Sequence, residues 1–551
     1  MKKRYPHKNK VLLVNITRLG DMLQATPTIA GIKRENPDCH TTVVVEKQFS
    51  DICRILPNID EVVSIDLAYT CRSIAAEQTG IIDAYQYVSE FVDKLRHENF
   101  DYCLNMSSSA YTALLLRLLK IPRTGGWTAD EEGYRVIESD WARLFATSVH
   151  YQNRQYNSLN LVDVFRCSAD VEDHPQKLLV NIESDAQHYV EDMIRNAGFT
   201  NFGPLIAVQA GASQAKRQWS PALFIEMVKI LDRQYNARII LTGSPKELSI
   251  VQPILDGCNS PNVFSAVGKT SIPQLAALLK QCKVLVTGDT GPMHISVAAG
   301  TPVVAMFLAS AYGFETGPYS AGNIVLQPVI GCGPCNPNKP CSRPDCHDMI
   351  SPRLMAELTM ARVAGEVTHV SRDMADPRNV IIYRSVFDQY GFCDLQPINT
   401  PTGDAFARYR NAYRKLWLED LGGYQISAEK STSAKRSILS QVDPGVEGLR
   451  EIAHCAEQGQ RLMGELKHLI LDARSPGSAL QRINVEITDL DRSIEELGFH
   501  HGPIGSLAKM FLFSKENLSG SDPLTLASQM DGIYGDLGRR CERFGQFYQE
   551  S

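Results

Sequence analysis

The chain has 551 residues, 44% of them hydrophobic and 21% charged, and a net charge of −6. That length exceeds one ordinary core and implies two or three domains of a soluble globular protein. The mild negative balance gives no general pull toward nucleic acid, and no apolar run approaches the roughly 18 residues of a membrane span.

The basic start is followed by the short apolar run Val11–Ile16, which reads as a first strand rather than an export signal, so a cytoplasmic location is expected. Gly20 and Asp21 come directly after it. Gly20 allows a tight turn or close approach, and Asp21 then stands at the carboxyl edge of a sheet near the start of a helix. Such a carboxylate is either an early-turn acid facing the helix dipole or a general base. Met22 to Arg34 reads as that helix, with Pro27 inside its early part. Further strands are expected at Thr42–Glu46, Val62–Asp66 and Phe100–Met106, and a helix at Ala110–Leu119. Alternating strand and helix implies a parallel, doubly wound sheet. Residues 123–175 have weaker periodicity and many Arg and aromatic residues, among them Trp127, Arg135 and Trp141. They suit an acceptor groove or a cap on the sheet.

A second series starts at Leu205–Gln209 and continues through a helix at Pro221–Tyr235, strands at Arg238–Thr242 and Asn262–Val267, and a helix at Thr270–Gln281. The stretch KVLVTGDTGPMHISVAAGTPVVAMF, Lys283 to Phe307, then reads strand, glycine-bearing loop, helix, strand. Pro292 suits a first helical turn because its missing N–H has no partner there anyway. The N–H groups and positive end of that short helix face the carboxyl edge of a parallel sheet, where such folds bind phosphorylated ligands. Asp289, Thr290 and His294 supply polar side chains at that place; the plainer reading is a tight turn with His294 merely packed. Two consecutive nucleotide-fold units point to two lobes with a ligand cleft.

Fourteen cysteines are present, and four of them crowd into GCGPCNPNKPCSRPDCHDMI as Cys332, Cys335, Cys341 and Cys346, spaced C-x2-C-x5-C-x4-C. In a reducing compartment that clustering favours one tetrahedral ion, iron or zinc, over disulfides. A closed shell of four thiolates leaves no open position for substrate, so the ion is expected to be structural. His347 could replace one cysteine but sits awkwardly beside Cys346.

Beyond about residue 372, Asn379–Phe387 suits a strand added to the sheet or a separate small piece. Apolar residues then recur at helical spacing over 449–473 and 480–497, separated by the turn Ser475–Ser478, with further helical segments at about 504–517 and 523–547. A bundle of this kind suits oligomerisation or presentation of a protein acceptor, or acts as a brace on the lobes.

DTGPMHISVAAGTPVVAMF resembles the donor-site signature of the family 9 glycosyltransferases, the ADP-heptose:lipopolysaccharide heptosyltransferases, and GDMLQATP resembles their acceptor-side motif. The resemblance covers roughly residues 9–365. It implies a glycosyltransferase-B architecture: an acceptor lobe at 1–175, a nucleotide-sugar lobe at 176–371 that includes the cysteine loop 331–347, and a mainly helical extension at 372–551. The implied reaction is inverting transfer of heptose from ADP-heptose to a hydroxyl of a lipopolysaccharide core or a protein. Asp21 takes the acceptor proton in that scheme. Ser213 touches the donor phosphates, Lys216 or Arg217 contacts the diphosphate, Glu247 holds ribose hydroxyls and Asp289 the heptose hydroxyls. Thr290, Gly291 and His294 surround the diphosphate, with no metal in the transfer chemistry. The cysteine loop is similar to the iron-holding loop of heptosyltransferases that modify autotransporter proteins. Peripheral association with the inner membrane and a homo-oligomer through the C-terminal helices are further expectations. The alternatives are a transferase for another nucleotide sugar and a metal-stabilised interaction protein with a vestigial site.

Overall fold

The computed structural model describes residues 9–16, 18–76, 80–150, 152–400, 403–426, 444–472 and 476–551. The chain divides into two compact units, one of Met1–Gly125 with Leu159–Asp404, the other of Gly126–Ser158 with Ala405–Ser551.

The first unit holds two mainly parallel sheets. Its amino-terminal sheet uses β1 (Lys10–Val14), β2 (His40–Glu46), β3 (Glu61–Ile65) and β4 (Tyr102–Asn105), in the order β3-β2-β1-β4, all neighbours parallel. The β-branched, wholly apolar runs expected of strands buried on both faces are present: Val11 to Val14 and Val43 to Val45 are fully buried. The expected helix over 22–34 is two helices, α1 (Leu19–Gln24) and α2 (Thr26–Glu35). Pro27 is the reason, since a residue without an N–H fits a first turn and not an interior, and the chain restarts at Thr26. Asp21 therefore lies within the first turn of α1.

Of residues 123–175, expected to line an acceptor groove or cap the sheet, 126–158 group with the second unit, and β5 (Thr124–Ala129) and β6 (Arg135–Ile137), antiparallel to it, extend the amino-terminal sheet beyond β4. The 126–158 segment also holds a helix at Asp140–Ser148.

The second sheet of the first unit comprises β7 (Leu205–Gln209), β8 (Arg238–Thr242), β9 (Val263–Ser265), β10 (Val284–Gly288), β11 (Val303–Met306), β12 (Ile324–Pro328), β13 (Val380–Phe387) and β14 (Cys393–Pro397). Their order is β14-β13-β12-β11-β10-β7-β8-β9. From β9 to β12 this is the doubly wound pattern, and the chain reverses direction across the sheet between β7 and β10. The last two strands are antiparallel additions, so the sheet runs past the expected boundary at residue 371. In the core under β7 and β8, Trp219 stacks edge-on against Phe224 with centroids 5.1 Å apart.

The two sheets are joined by the helix Leu161–Ser168. Its Asp163 is buried and accepts hydrogen bonds from the Tyr319 hydroxyl and the Cys393 N–H, each at 2.9 Å. A buried carboxylate with this many donors fixes register between its neighbours, because an unmet charge there is costly.

The second unit is mainly helical: Ala407–Asp420, Pro444–Leu471, Gly477–His500, Gly505–Glu516 and Pro523–Glu550 join the 126–158 segment. The expected hairpin and its two partner helices are present, although Ala473, Ser475 and their neighbour lie outside the described residues. Ala407–Asp420 was not anticipated. Gly459 lets the helix it belongs to approach Tyr534, to which a β-carbon on it would stand 2.3 Å away. Among the described residues no helix is long and apolar enough to cross a membrane.

Candidate active site

Both sheets of the first unit present their carboxyl ends to one another through α1 and the helix Gly291–Ala298. A β-carbon on Gly20 would lie 3.0 Å from Cδ2 of His294, and one on Gly291 would lie 2.9 Å from a methyl of Leu19. Two glycines thus set the approach of the helix that bears Asp21 to the helix that follows β10. Asp21 itself is half-buried in the first turn of α1. His294 is buried, and burial lowers its pKa to about 4 against the opposing pull of Asp289, so the imidazole is neutral at pH 7.

The second lobe builds its part from the ends of three strands that are neighbours in the sheet, β10, β7 and β8. After β7 comes the turn 210–214, with Ser213 exposed, and then the short helical turn Ala215–Arg217. After β8, Glu247 closes a capping box with Ser244: its Oε2 accepts from the Ser244 N–H at 2.7 Å and the Ser244 hydroxyl at 2.8 Å. Its Oε1 accepts from Gln209 Nε2 at 2.7 Å, and the carboxylate lies directly over Gly211, where any side chain would collide with it. After β10, Asp289 accepts from Arg217 Nη1 at 3.1 Å and from the Thr316 hydroxyl at 3.2 Å. Thr290 is the residue before the helix, its hydroxyl 2.9 Å from that of Thr287. Gly291 then opens the helix, whose first-turn N–H groups and positive dipole end face this crevice.

The adjacent cations go to different places. Arg217 points toward Asp289, and its Nε donates to the Ser310 hydroxyl at 2.8 Å. Both members of the Arg217–Asp289 pair are mostly shielded from solvent, their side chains 12% and 13% exposed. Lys216 donates instead to three backbone carbonyls, those of Asn336 (2.8 Å), Pro337 (3.1 Å) and Lys339 (2.7 Å). An ammonium has three donors, and all are used.

Two of the four cysteines of residues 331–347, Cys335 and Cys346, are shifted by burial and by the neighbouring thiols. Burial first, and then the nearby thiols of Cys332, Cys346 and Cys341, push Cys335 up to about 11. Cys346 is raised by burial and by Cys332 and Cys341, while a hydrogen bond from the Ala309 backbone works the other way. A thiol-only donor set of this kind suits a soft or borderline ion. The closed tetrahedral shell expected from the spacing is not assembled, however: among the described residues no three His, Cys, Asp or Glu groups are arranged to hold a metal. His347 is engaged elsewhere, its Nε2–H donating to the Lys216 carbonyl at 2.8 Å.

The sequence reading missed Ser310 and Thr316, which seat Arg217 and Asp289. Ser310 follows β11 as Asp289 follows β10, so the rule that ligands meet the carboxyl ends of successive strands could have found it. Thr316 has no such signal.

Residues 88–345 match the family model for glycosyltransferase family 9 (heptosyltransferase). The chain is 23% identical over 298 residues to lipopolysaccharide heptosyltransferase 3 of Escherichia coli, covering 54% of this chain and 82% of that protein. It is 25% identical over 365 residues to the lipopolysaccharide core heptosyltransferase OpsX of Haemophilus influenzae, covering 64% and 95%. The glycosyl transferase family 9 structure from Veillonella parvula superposes with a TM-score of 0.51 at 19% identity, covering 65% of this chain and 97% of that one. That likeness bears on fold, and it agrees with the two doubly wound lobes. The two doubly wound sheets and these matches together make the chain a glycosyltransferase, similar over residues 88–345 to glycosyltransferase family 9.

Proposed function

We propose that this glycosyltransferase moves heptose from ADP-heptose to a hydroxyl of a lipopolysaccharide core or a protein, with inversion at the anomeric carbon. The relatives' names support the sugar and the lipopolysaccharide acceptor. The observation that carries the reading is the contact of α1 with the Gly291 helix, which brings the turn bearing Asp21 against the amino-terminal end of the helix that follows β10. Asp21 removes the acceptor proton. The acceptor oxygen attacks the anomeric carbon from the face opposite the diphosphate, and the bond from that carbon to the diphosphate oxygen breaks. Negative charge gathers on the departing ADP. Arg217, the Thr290 hydroxyl and the first-turn N–H groups beyond Gly291 stabilise it, preorganised donors of this type being worth about 3 kcal/mol each. Asp289 retains acceptor capacity for sugar hydroxyls beyond its bonds to Arg217 and Thr316, a carboxylate having about four lone-pair sites. Glu247 faces the ribose, Ser213 the phosphates, and neutral His294 backs the turn.

In this reading Cys332, Cys335, Cys341 and Cys346 would be drawn together by one structural iron or zinc ion, which takes no part in the chemistry. The bundle of the second unit supports a homo-oligomer, and the protein works on the cytoplasmic side of the inner membrane.

The test is turnover with a panel of nucleotide sugars and both acceptor classes. Wild type should consume ADP-heptose, and Asp21→Asn should lose about a thousandfold in kcat with ADP affinity unchanged. Turnover by Asp21→Asn at the wild-type rate would remove the proposed base.

A further inference from the structure

Lys216 and Arg217 are neighbours in a single three-residue turn that has no side-chain cap. Such a turn is held by little of its own. What holds this one is the cysteine-bearing loop. The Lys216 ammonium sits in a tripod of carbonyls from Asn336, Pro337 and Lys339, all between Cys335 and Cys341. In return, His347 donates to the Lys216 carbonyl, and Trp219 Nε1 donates to the His347 carbonyl at 3.0 Å. The same loop reaches the far side of Arg217: the Cys335 N–H donates to the Ala309 carbonyl at 2.9 Å, and the next residue, Ser310, seats the guanidinium. Arg217 is thus braced on two sides by one loop.

We propose that Lys216 is a positioning residue that does not touch the donor: it clamps the 331–347 loop onto the 215–219 turn and so presets Arg217 for the diphosphate. This rests on reading the β7–β10 crevice as the donor site. Adjacent cations of one turn then have separate tasks, one toward the ligand and one toward the scaffold. Binding gains when the turn is ordered beforehand, because less freedom is lost on association.

The experiment uses the full chain and three variants: Lys216→Met, Lys216→Arg and His347→Ala. ADP affinity is measured calorimetrically, and amide exchange is followed in residues 215–219 and 333–347. Lys216→Met should weaken ADP about tenfold and speed exchange in both segments. Lys216→Arg, whose guanidinium can still donate to carbonyls, should recover part of both losses. His347→Ala leaves the ammonium in place and should shift both readouts in the same direction, which keeps the test open should Lys216→Met fail to fold. Weaker ADP binding in Lys216→Met with unchanged exchange in 333–347 would mean direct contact with the donor and overturn the proposal, as would no change in either readout. If the wild type does not bind ADP, the assignment of the donor site falls, and the exchange data still decide whether the clamp exists.

Discussion

Arg217 and Asp289 meet at 3.1 Å across the point where the second sheet reverses its strand order, one residue from the turn after β7, the other from the end of β10. A pair at this position occupies the crevice where doubly wound folds take their ligands. Its two charges are mostly out of water yet retain other partners, Ser310 on one side and Thr316 on the other. Replacing Arg217 by Met strips the Asp289 carboxylate of its counter-charge in a place where hydration replaces it poorly. We expect ADP binding at least about tenfold weaker, and a stability loss of roughly 1–3 kcal/mol. Calorimetric titration and denaturant unfolding measure the two effects separately.

Gly20 tests the contact between the lobes. A methyl there would stand 3.0 Å from the His294 ring, which is itself buried and cannot easily withdraw. Gly20→Ala should cost about 1–3 kcal/mol as an overpacking change and lower turnover by moving Asp21 relative to the Gly291 helix. Gly20→Ala combined with His294→Ala should restore stability but not full activity. Recovery of neither in the double variant would show that the two helices are not limited by this contact.

His294 gives the stability a pH dependence of definite sign. In the unfolded chain its pKa is near 6.5 and in the fold about 4. Above pH 6.5 neither state binds the proton, and between about 6.5 and 4 only the unfolded chain does, so stability falls as the pH drops through that window. The full effect for a group this buried is about 3 kcal/mol. His174, lowered to about 4 by burial and then by Arg166, acts in the same direction. The stability difference between wild type and His294→Gln should be constant above pH 7 and change in favour of the variant on acidification. A flat difference down to pH 4.5 would mean the imidazole is solvated.

The metal site proposed for the cysteine loop is tested by metal analysis and chelation. Purified protein should carry about one iron or zinc per chain, and strong chelation should lower the melting temperature and expose residues 331–347 to protease. Replacing Cys335 and Cys346 together by Ser should abolish the metal content measured by plasma emission. Metal-free wild type with unchanged melting would leave the four thiols as a packed loop alone.

Much of this molecule was legible in local chemistry. Runs such as Val11–Val14 and Val303–Met306 are too apolar and β-branched to be anything but strands covered on both faces, and Gly and Pro mark where they stop. The stretch from Gly288 to His294 announced the start of a helix after a strand, because Pro292 suits a first helical turn. The period of 3–4 residues beyond 449 likewise announced the helices of the second unit.

Other features had no local cause. Lys216 and Arg217 are chemically near-equivalent in sequence, and only the placement of the 336–339 carbonyls sends one to the loop and the other to Asp289. Thr316 and Ser310 enter the site through contacts made 27 and 93 residues away along the chain. The grouping of 126–158 with the C-terminal helices is decided by burial of surfaces far apart in sequence. Periodicity reports which face of an element is apolar and where it ends; which partner covers that face is a property of the assembled chain.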